Sequence, residues 1–390
     1  MKAAVWHGKQ DVRIENVPDP SIVNPHDAII RVSSTAVCGS DLHLYNGFIP
    51  GMKPGDILGH EFMGEVVAAG RACEHVKVGD RVIVMCGISC GRCWFCKHDL
   101  FSACDNTTPA GSQAVLEVAY GHAGGALFGY SHLYGGYSGG QAEYVRVPFA
   151  DVGCVHAPAE LSDEQVLFLT DIFPTGYMAA ENCQIQPGDT IAVFGAGPVG
   201  QFAIKSCFLL GAERVLAIDA VPERLALAAQ QGAIVVDETH GDVLPRIEEL
   251  TGGRGPDSVI DAVGMEAHGT GVQAVYDKVK QAMRIEADRP IALRMAIMAC
   301  RKGGVVSIPG VYGGLLDKFP MGAAFSKGLT FKMGQTHFHR YAKPLLQRVQ
   351  AGEVDPSFIV SDRVSLSDLP AAYAKFNAKR DGCIKVVARP

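Results

Sequence analysis

Apolar positions in the first part of the chain gather in short β-branched runs: AAVWHG, VRIENVP, DAIIRVSSTAV, GEVVAAG and DRVIVMC. Gly, Pro and Asp break them at close spacing, which predicts a β-rich region. From about residue 185 the runs become compact and almost wholly apolar, as in DTIAVFGAG, RVLAIDA, AIVVD, SVIDAVG and GGVVSIPG. Segments with helical periodicity, PVGQFAIKSCFLLG and PERLALAAQQG, separate several of them. That alternation predicts a doubly wound α/β unit, a parallel sheet with helices on both faces. From about residue 336 mixed helix and strand return, ending in the strand-like CIKVVARP. Residues 105–140 are rich in glycine and aromatics and predict an irregular loop. The segment AVYDKVKQAMRIEADRPIALRMAIMAC reads as helix, longer than a strand-to-strand link requires. The Met and Phe residues near 319–333 read as core or interface.

With 390 residues, 48% of them hydrophobic, the chain can bury large cores and fits two domains better than one. The formal net charge is −6 and both signs are scattered, which argues against a nucleic-acid or membrane-surface partner. The opening MKAAVWHGKQDVRIENVPDP lacks a basic stretch followed by an apolar run, so no signal peptide is expected there. Twelve cysteines in a chain of this kind are expected to be thiols or metal ligands rather than a disulfide framework, and a cytoplasmic location follows as an expectation.

The run IAVFGAGPVGQFAI spaces Gly195, Gly197 and Gly200 as G-x-G-x-x-G between a strand and a helix. In that context Gly195 permits a tight turn and Gly197 lets a pyrophosphate approach the backbone. Gly200 lets helix pack close to strand. Pro198 and Val199 open the helix, whose N-terminus favours anionic phosphate. Asp219 ends the second strand, where an acid accepts hydrogen bonds from ribose hydroxyls and repels a 2′-phosphate; NAD is therefore expected over NADP. Arg224 is the nearest cation and leaves that preference open to test.

Two sets of metal-ligating residues stand out. Cys90, Cys93, Cys96 and Cys104 fall within fifteen residues, a spacing that wraps one tetrahedral Zn²⁺ with no position left for substrate. A redox C-x-x-C pair would want a βαβ start and one reactive pair instead. Upstream, Cys38, Ser40 and His43 lie in VCGSDLH, and His60 and Glu61 in LGHEFMGEV. Thiolate and imidazole suit zinc, but a catalytic site needs a third protein ligand that periodicity does not locate.

CGSDLH, GHEFMGEV, VGDRV, the four clustered cysteines, GGQAEYVRVP and the glycine fingerprint follow one another along nearly the whole chain. In that order they resemble the zinc-dependent medium-chain alcohol dehydrogenases. LTDIFPTGY and GAGPVG look most like the glutathione-independent formaldehyde dehydrogenases. The resemblance implies a GroES-like catalytic domain over 1–172, with its structural-zinc lobe at 88–104. A Rossmann domain over 173–335 and a return to the catalytic domain over 336–390 complete the chain. It implies Cys38, His60 and Asp171 as ligands of a catalytic zinc, giving two zinc per chain with the four-cysteine site. Many relatives have Cys where Asp171 stands; a carboxylate donates less charge and leaves the metal more electrophilic. Glu61 is read either as an alternative ligand or as a salt-bridging carboxylate beside the site.

By the same resemblance Ser40 and His43 form a proton relay. Thr175 with Gly176, Val263, Gly264, Pro309, Gly310, Val311, Gln335 and Thr336 line the nicotinamide side of the cofactor, and His337 is a candidate beside them. The expected activity is zinc-dependent, NAD-linked hydride transfer on a small alcohol or aldehyde hydrate, with formaldehyde the leading substrate. A homo-oligomer, favouring a tetramer, is expected as well. The alternatives are an alcohol or polyol dehydrogenase of other specificity, or a non-catalytic NAD-binding redox sensor.

Overall fold

The computed structural model describes residues 1–265, 290–314, 316 and 318–390. The chain divides into two compact units, residues 1–174 with 336–390, and residues 175–335. The first boundary falls inside the helix Ile172–Asn182.

The first unit is built on a seven-stranded sheet. Its central strand, Ala28–Val37, pairs antiparallel with Glu61–Ala69, Tyr144–Val147 and Val386–Arg389. Arg81–Val84 and Cys154–His156 extend the sheet on one side, and Asp362–Ser365 on the other. Ile30, Val32, Phe62, Val66, Val82, Val84 and Phe128 form part of the core on this sheet. The C-terminal residues therefore contribute a strand next to one near the N-terminus. Register matters most at one end. Ala36 faces Glu61 and Val37 faces Val386, so three neighbouring strands stop or start together beside Cys38, His60 and Lys385.

Residues 105–140 are not wholly irregular. Ala110–Tyr120 is a helix, entered after Pro109 and closed by Gly121 in the left-handed conformation, φ 78°. Ala, Gln, Leu and Glu in that run favour a helix, and the flanking glycines conceal it in a compositional reading.

The second unit holds six parallel strands in the order Ile234–Asp237, Arg214–Asp219, Thr190–Phe194, Ser258–Asp261, Val305–Ile308, Thr330–Met333. Numbered along the unit this is 3-2-1-4-5-6, the nucleotide-binding order with its switch point between the first and fourth strands. Thr190–Phe194 is buried throughout, as both faces of a central parallel strand require. Thr330–Met333 had no counterpart in the hydrophobic pattern. It is an edge strand whose residues are only half-buried or exposed, so no apolar run marks it. Among the neighbouring Met and Phe residues, Phe319 and Phe331 pack on the core, whereas Met321, Phe325 and Met333 are exposed. The long helical segment read before residue 300 falls mostly outside the described residues; Ile291–Ala299 is helical. Among the described residues no helix is long and apolar enough to cross a membrane.

Candidate metal centres and nucleotide site

Cys90, Cys93, Cys96 and Cys104 bring their sulfurs within 4.8 Å of one another. Backbone N–H groups point into the cluster. Those of Cys93 and Arg92 donate to Cys90 Sγ at 3.3 and 3.4 Å, that of Cys96 to Cys93 Sγ at 3.4 Å, and that of Cys90 to Cys104 Sγ at 3.3 Å. Burial pushes Cys90 up, but the donors from Arg92, Asn106 and Cys93 outweigh it and hold the thiol at about 7. Four sulfurs with amide donors fit one structural Zn²⁺ and leave no position for substrate. None of the twelve cysteines is disulfide-bonded.

The second set is assembled from distant segments. Cys38 follows the strand Ala28–Val37 and caps the helix Gly39–Tyr45, His60 precedes the strand Glu61–Ala69, and Asp171 ends the 3₁₀ turn Leu167–Thr170. One ligand atom each from Cys38, His60, Glu61 and Asp171 lies within 4.8 Å of the others, and all four residues are buried. Cys38 Sγ is 3.5 Å and His60 Nε2 3.2 Å from Asp171 Oδ2. Ser40 Oγ lies 3.2 Å from the same His60 nitrogen. His43, on the same short helix three residues on, is buried. Burial, Asp171 and Glu61 push the Cys38 thiol up to about 11, so a metal ion must displace a proton to be held there.

Apart from Glu61, what surrounds the ligands was not read from the sequence. Asp41, fully buried, sits 3.0 Å from His60 Nδ1 through Oδ1, which turns Nε2 toward Asp171. Its other oxygen accepts from Cys38 N at 2.9 Å and Gln141 Nε2 at 3.3 Å. Gln141 Nε2 also reaches Ala36 O, and its Oε1 accepts from Tyr373 OH at 2.8 Å. Since Ala36 O and Asp41 are acceptors, the amide orientation is determined. Gly59 leaves room for this glutamine: a Cβ there would meet Gln141 Cγ at 2.4 Å. Glu61 Oε1 is 2.6 Å from Lys385 Nζ, and neither residue reaches solvent. Tyr130 is buried with its ring edge-on to His60, 6.5 Å between centroids. Asp41 stood inside the quoted CGSD motif; Gln141, Tyr373 and Lys385 gave no local signal.

In the second unit the three glycines separate by role. Gly195 has φ 89°, and a Cβ on it would meet Val263 Cγ2 at 2.6 Å. At Gly200 a Cβ would stand 1.8 Å from Gly195 O, so helix and turn require its absence. At Gly197 a Cβ would meet nothing nearer than Arg224 NH1 at 3.5 Å. Packing does not demand that glycine; open space before the helix Pro198–Leu209 fits a phosphate approaching the first-turn N–H groups. Asp219 accepts from Ala196 N and Ala220 N at 2.7 Å and from Val221 N at 2.9 Å, while Arg224 NH1 is 3.8 Å away.

Val263 and Gly264 follow the fourth strand and Pro309, Gly310 and Val311 the fifth. These turns interlock: a Cβ on Gly310 would be 2.6 Å from Gly264 N. Buried Asp261 ties them, accepting from Val263 N at 3.0 Å and Tyr312 OH at 2.6 Å. The fingerprint residues, Asp219, Arg224 and these five thus share the carboxyl edge of one sheet. Thr175 is buried and Gln335 exposed, at the two ends of this unit; Thr336 is buried in the first unit. Gly176 serves packing, since a Cβ would be 2.6 Å from Ala203 N. His337, in the first unit, has its Nδ1 2.9 Å from Ser102 Oγ, next to the four-cysteine lobe.

A metal centre on a GroES-like sheet and a nucleotide fold in one chain define the class of zinc-dependent dehydrogenases. Family models agree: residues 24–159 match the alcohol dehydrogenase GroES-like domain and residues 198–282 the zinc-binding dehydrogenase domain. The chain is 41% identical to a zinc-type alcohol dehydrogenase-like protein of Bacillus subtilis, with 100% of each chain covered. It is 35% identical to a glutathione-independent formaldehyde dehydrogenase of Pseudomonas aeruginosa, over 97% of this chain and 95% of that one. Among solved structures it is similar to an alcohol dehydrogenase from Thermus sp. ATN1, TM-score 0.84 at 35% identity, covering 100% and 99%. The chain belongs to the zinc-dependent medium-chain alcohol dehydrogenase family.

Proposed function

We propose that the protein oxidises a small alcohol or aldehyde hydrate with NAD, and that formaldehyde hydrate is its leading substrate. The observation that carries this reading is the convergence of Cys38, His60 and Asp171 with a hydroxyl, Ser40 Oγ, 3.2 Å from the ligand nitrogen of His60. Zinc held by those three residues would supply Lewis-acid polarisation of a substrate oxygen, and the nicotinamide of bound NAD would accept the hydride. The chain's own residues then orient and deprotonate. Ser40 Oγ takes the proton of the reacting hydroxyl. His43, three residues on and on the same helix face, carries it onward. Asp41 holds the His60 ring so that Nε2 remains the ligand atom. For formaldehyde hydrate one C–H bond breaks with its electron pair leaving as hydride to the nicotinamide and one O–H proton leaves through Ser40, giving formic acid, which releases its second proton to solvent as formate.

Tyr130 supports a small substrate, because its buried ring occupies space beside His60. The likeness to a formaldehyde dehydrogenase of Pseudomonas aeruginosa supports the same choice. Asp219 supports NAD: its carboxylate stands at the end of the second strand, where a 2′-phosphate would meet like charge, and Arg224 faces that carboxylate. A cytoplasmic, tetrameric enzyme is part of the proposal. Steady-state kinetics with formaldehyde, primary alcohols and polyols, each with NAD and NADP, test it. Formaldehyde with NAD is expected to give the highest kcat/KM. No formaldehyde turnover, with an alcohol or polyol turned over instead, refutes the substrate.

A further inference from the structure

Lys385 is a lysine with no exposed surface, placed just before the strand Val386–Arg389. Its ammonium has three donors to satisfy. One goes to Glu61 Oε1 at 2.6 Å and one to Val37 O at 2.9 Å, while the face of Phe168 lies 5.7 Å from the nitrogen. Each contact belongs to a segment that carries a metal-set residue. Val37 precedes Cys38, Glu61 follows His60, and Phe168 is in the turn that ends at Asp171.

Glu61 carries a cation directly on its carboxylate. Its Oε1 is committed to Lys385, whereas its Oε2 is buried and has no hydrogen-bond partner among the described residues. A carboxylate so close to Cys38, His60 and Asp171 has two alternatives: an ion pair with Lys385 or coordination of the metal. Buried charges persist only when paired, so an unpaired Glu61 would turn to the metal.

We propose that Lys385 is a positioning residue that withholds Glu61 from the metal and so keeps the catalytic centre at three protein ligands. This rests on the reading of Cys38, His60 and Asp171 as zinc ligands. Without the lysine, Glu61 becomes a fourth protein ligand, and the centre acquires the saturated character of the four-cysteine site.

The test uses the full-length protein, with zinc counted per chain and the catalytic metal exchanged for cobalt. Access to the metal is read by titration with 1,10-phenanthroline. Lys385→Met is expected to keep two metal ions per chain, to change the cobalt d–d spectrum, and to bind phenanthroline at least about tenfold more weakly. Lys385→Met/Glu61→Gln is expected to recover phenanthroline binding, and Lys385→Arg to keep the wild-type spectrum. Should Lys385→Met fail to accumulate as folded protein, Lys385→Gln carries the same measurements. Unchanged spectrum and chelator affinity in the neutral variant overturn the proposal. So does loss of its catalytic metal that Glu61→Gln does not reverse. Failure of both neutral variants to fold, with Lys385→Arg folding, makes Lys385 a structural clamp and overturns it too. A wild-type chain holding a single zinc refutes instead the ligand assignment beneath it.

Discussion

Replacing Gly197 with alanine separates the two reasons a glycine occurs in the nucleotide turn. At this position φ is −68°, which alanine adopts without strain, and the new Cβ would touch only Arg224 at ordinary contact distance. Restricting the unfolded chain gains about 0.4–1 kcal/mol. Alanine is a poorer N-cap than glycine by roughly 0.5–1 kcal/mol. The two nearly cancel, so the melting temperature should stay within about 3 °C of wild type. Nucleotide binding should respond differently. The methyl group occupies the approach to the first-turn N–H groups, and losing two or three bonds to phosphate at about 1.5 kcal/mol each weakens binding by about 3–4.5 kcal/mol. That is on the order of 100- to 1,000-fold in Kd. Gly200→Ala is the control, since its Cβ would lie 1.8 Å from Gly195 O. Overpacking there costs about 1–3 kcal/mol and lowers the melting temperature by several degrees. NADH fluorescence titration and thermal melts read both variants. Wild-type NADH affinity in Gly197→Ala, or a loss of stability matching that of Gly200→Ala, would refute the division of roles.

Asp171→Ala should lose one zinc and turnover while NADH affinity persists, as metal analysis and fluorescence titration would show; loss of NADH binding as well would mean the ligand is misplaced. Cys93→Ser should lose the other zinc and lower the melting temperature before it changes the chemistry of the remaining folded protein. Asp163 is half-buried and accepts from Arg81 at 2.6 Å and from Ser33 and Ser34 at 2.7 and 2.8 Å. Burial raises its pKa, but Arg81 and the two serines outweigh that and hold it below the ordinary value. A carboxyl lowered on folding stabilises above its unfolded pKa and loses that contribution as pH falls through the folded one. Asp163→Asn should therefore be less stable than wild type by about 1–3 kcal/mol at neutral pH, and the gap should close below about pH 4 in denaturant melts.

Much of the second unit was legible because its signals are local. A buried parallel strand is a continuous apolar run, and the fingerprint sits in the turn that follows one. The exceptions were physical as well: Thr330–Met333 lies at a sheet edge, half-solvated, and carries no run to read. Asp261 and Tyr312 brace turns from adjacent strands, a relation that strand pairing creates and spacing does not encode. The helix Ala110–Tyr120 was hidden by glycines on its C-terminal side, although its own residues favour it.

The two metal sets show why one could be read and the other had to be inferred from resemblance. Four cysteines in fifteen residues need only a loop to bring them together, so spacing alone describes that site. The other set depends on sheet register. Cys38, Glu61 and Lys385 meet because Ala36 pairs with Glu61 and Val37 with Val386. Slipping either strand by one residue would send Glu61 or Lys385 to the opposite face and leave a charge buried without its partner. The ion pair thus holds the sheet in the register that forms the metal set, and the register holds Glu61 within reach of both lysine and metal. Chemistry of that kind belongs to three strand ends at once, which is why Lys385, 324 residues from its partner, carried no mark in the sequence.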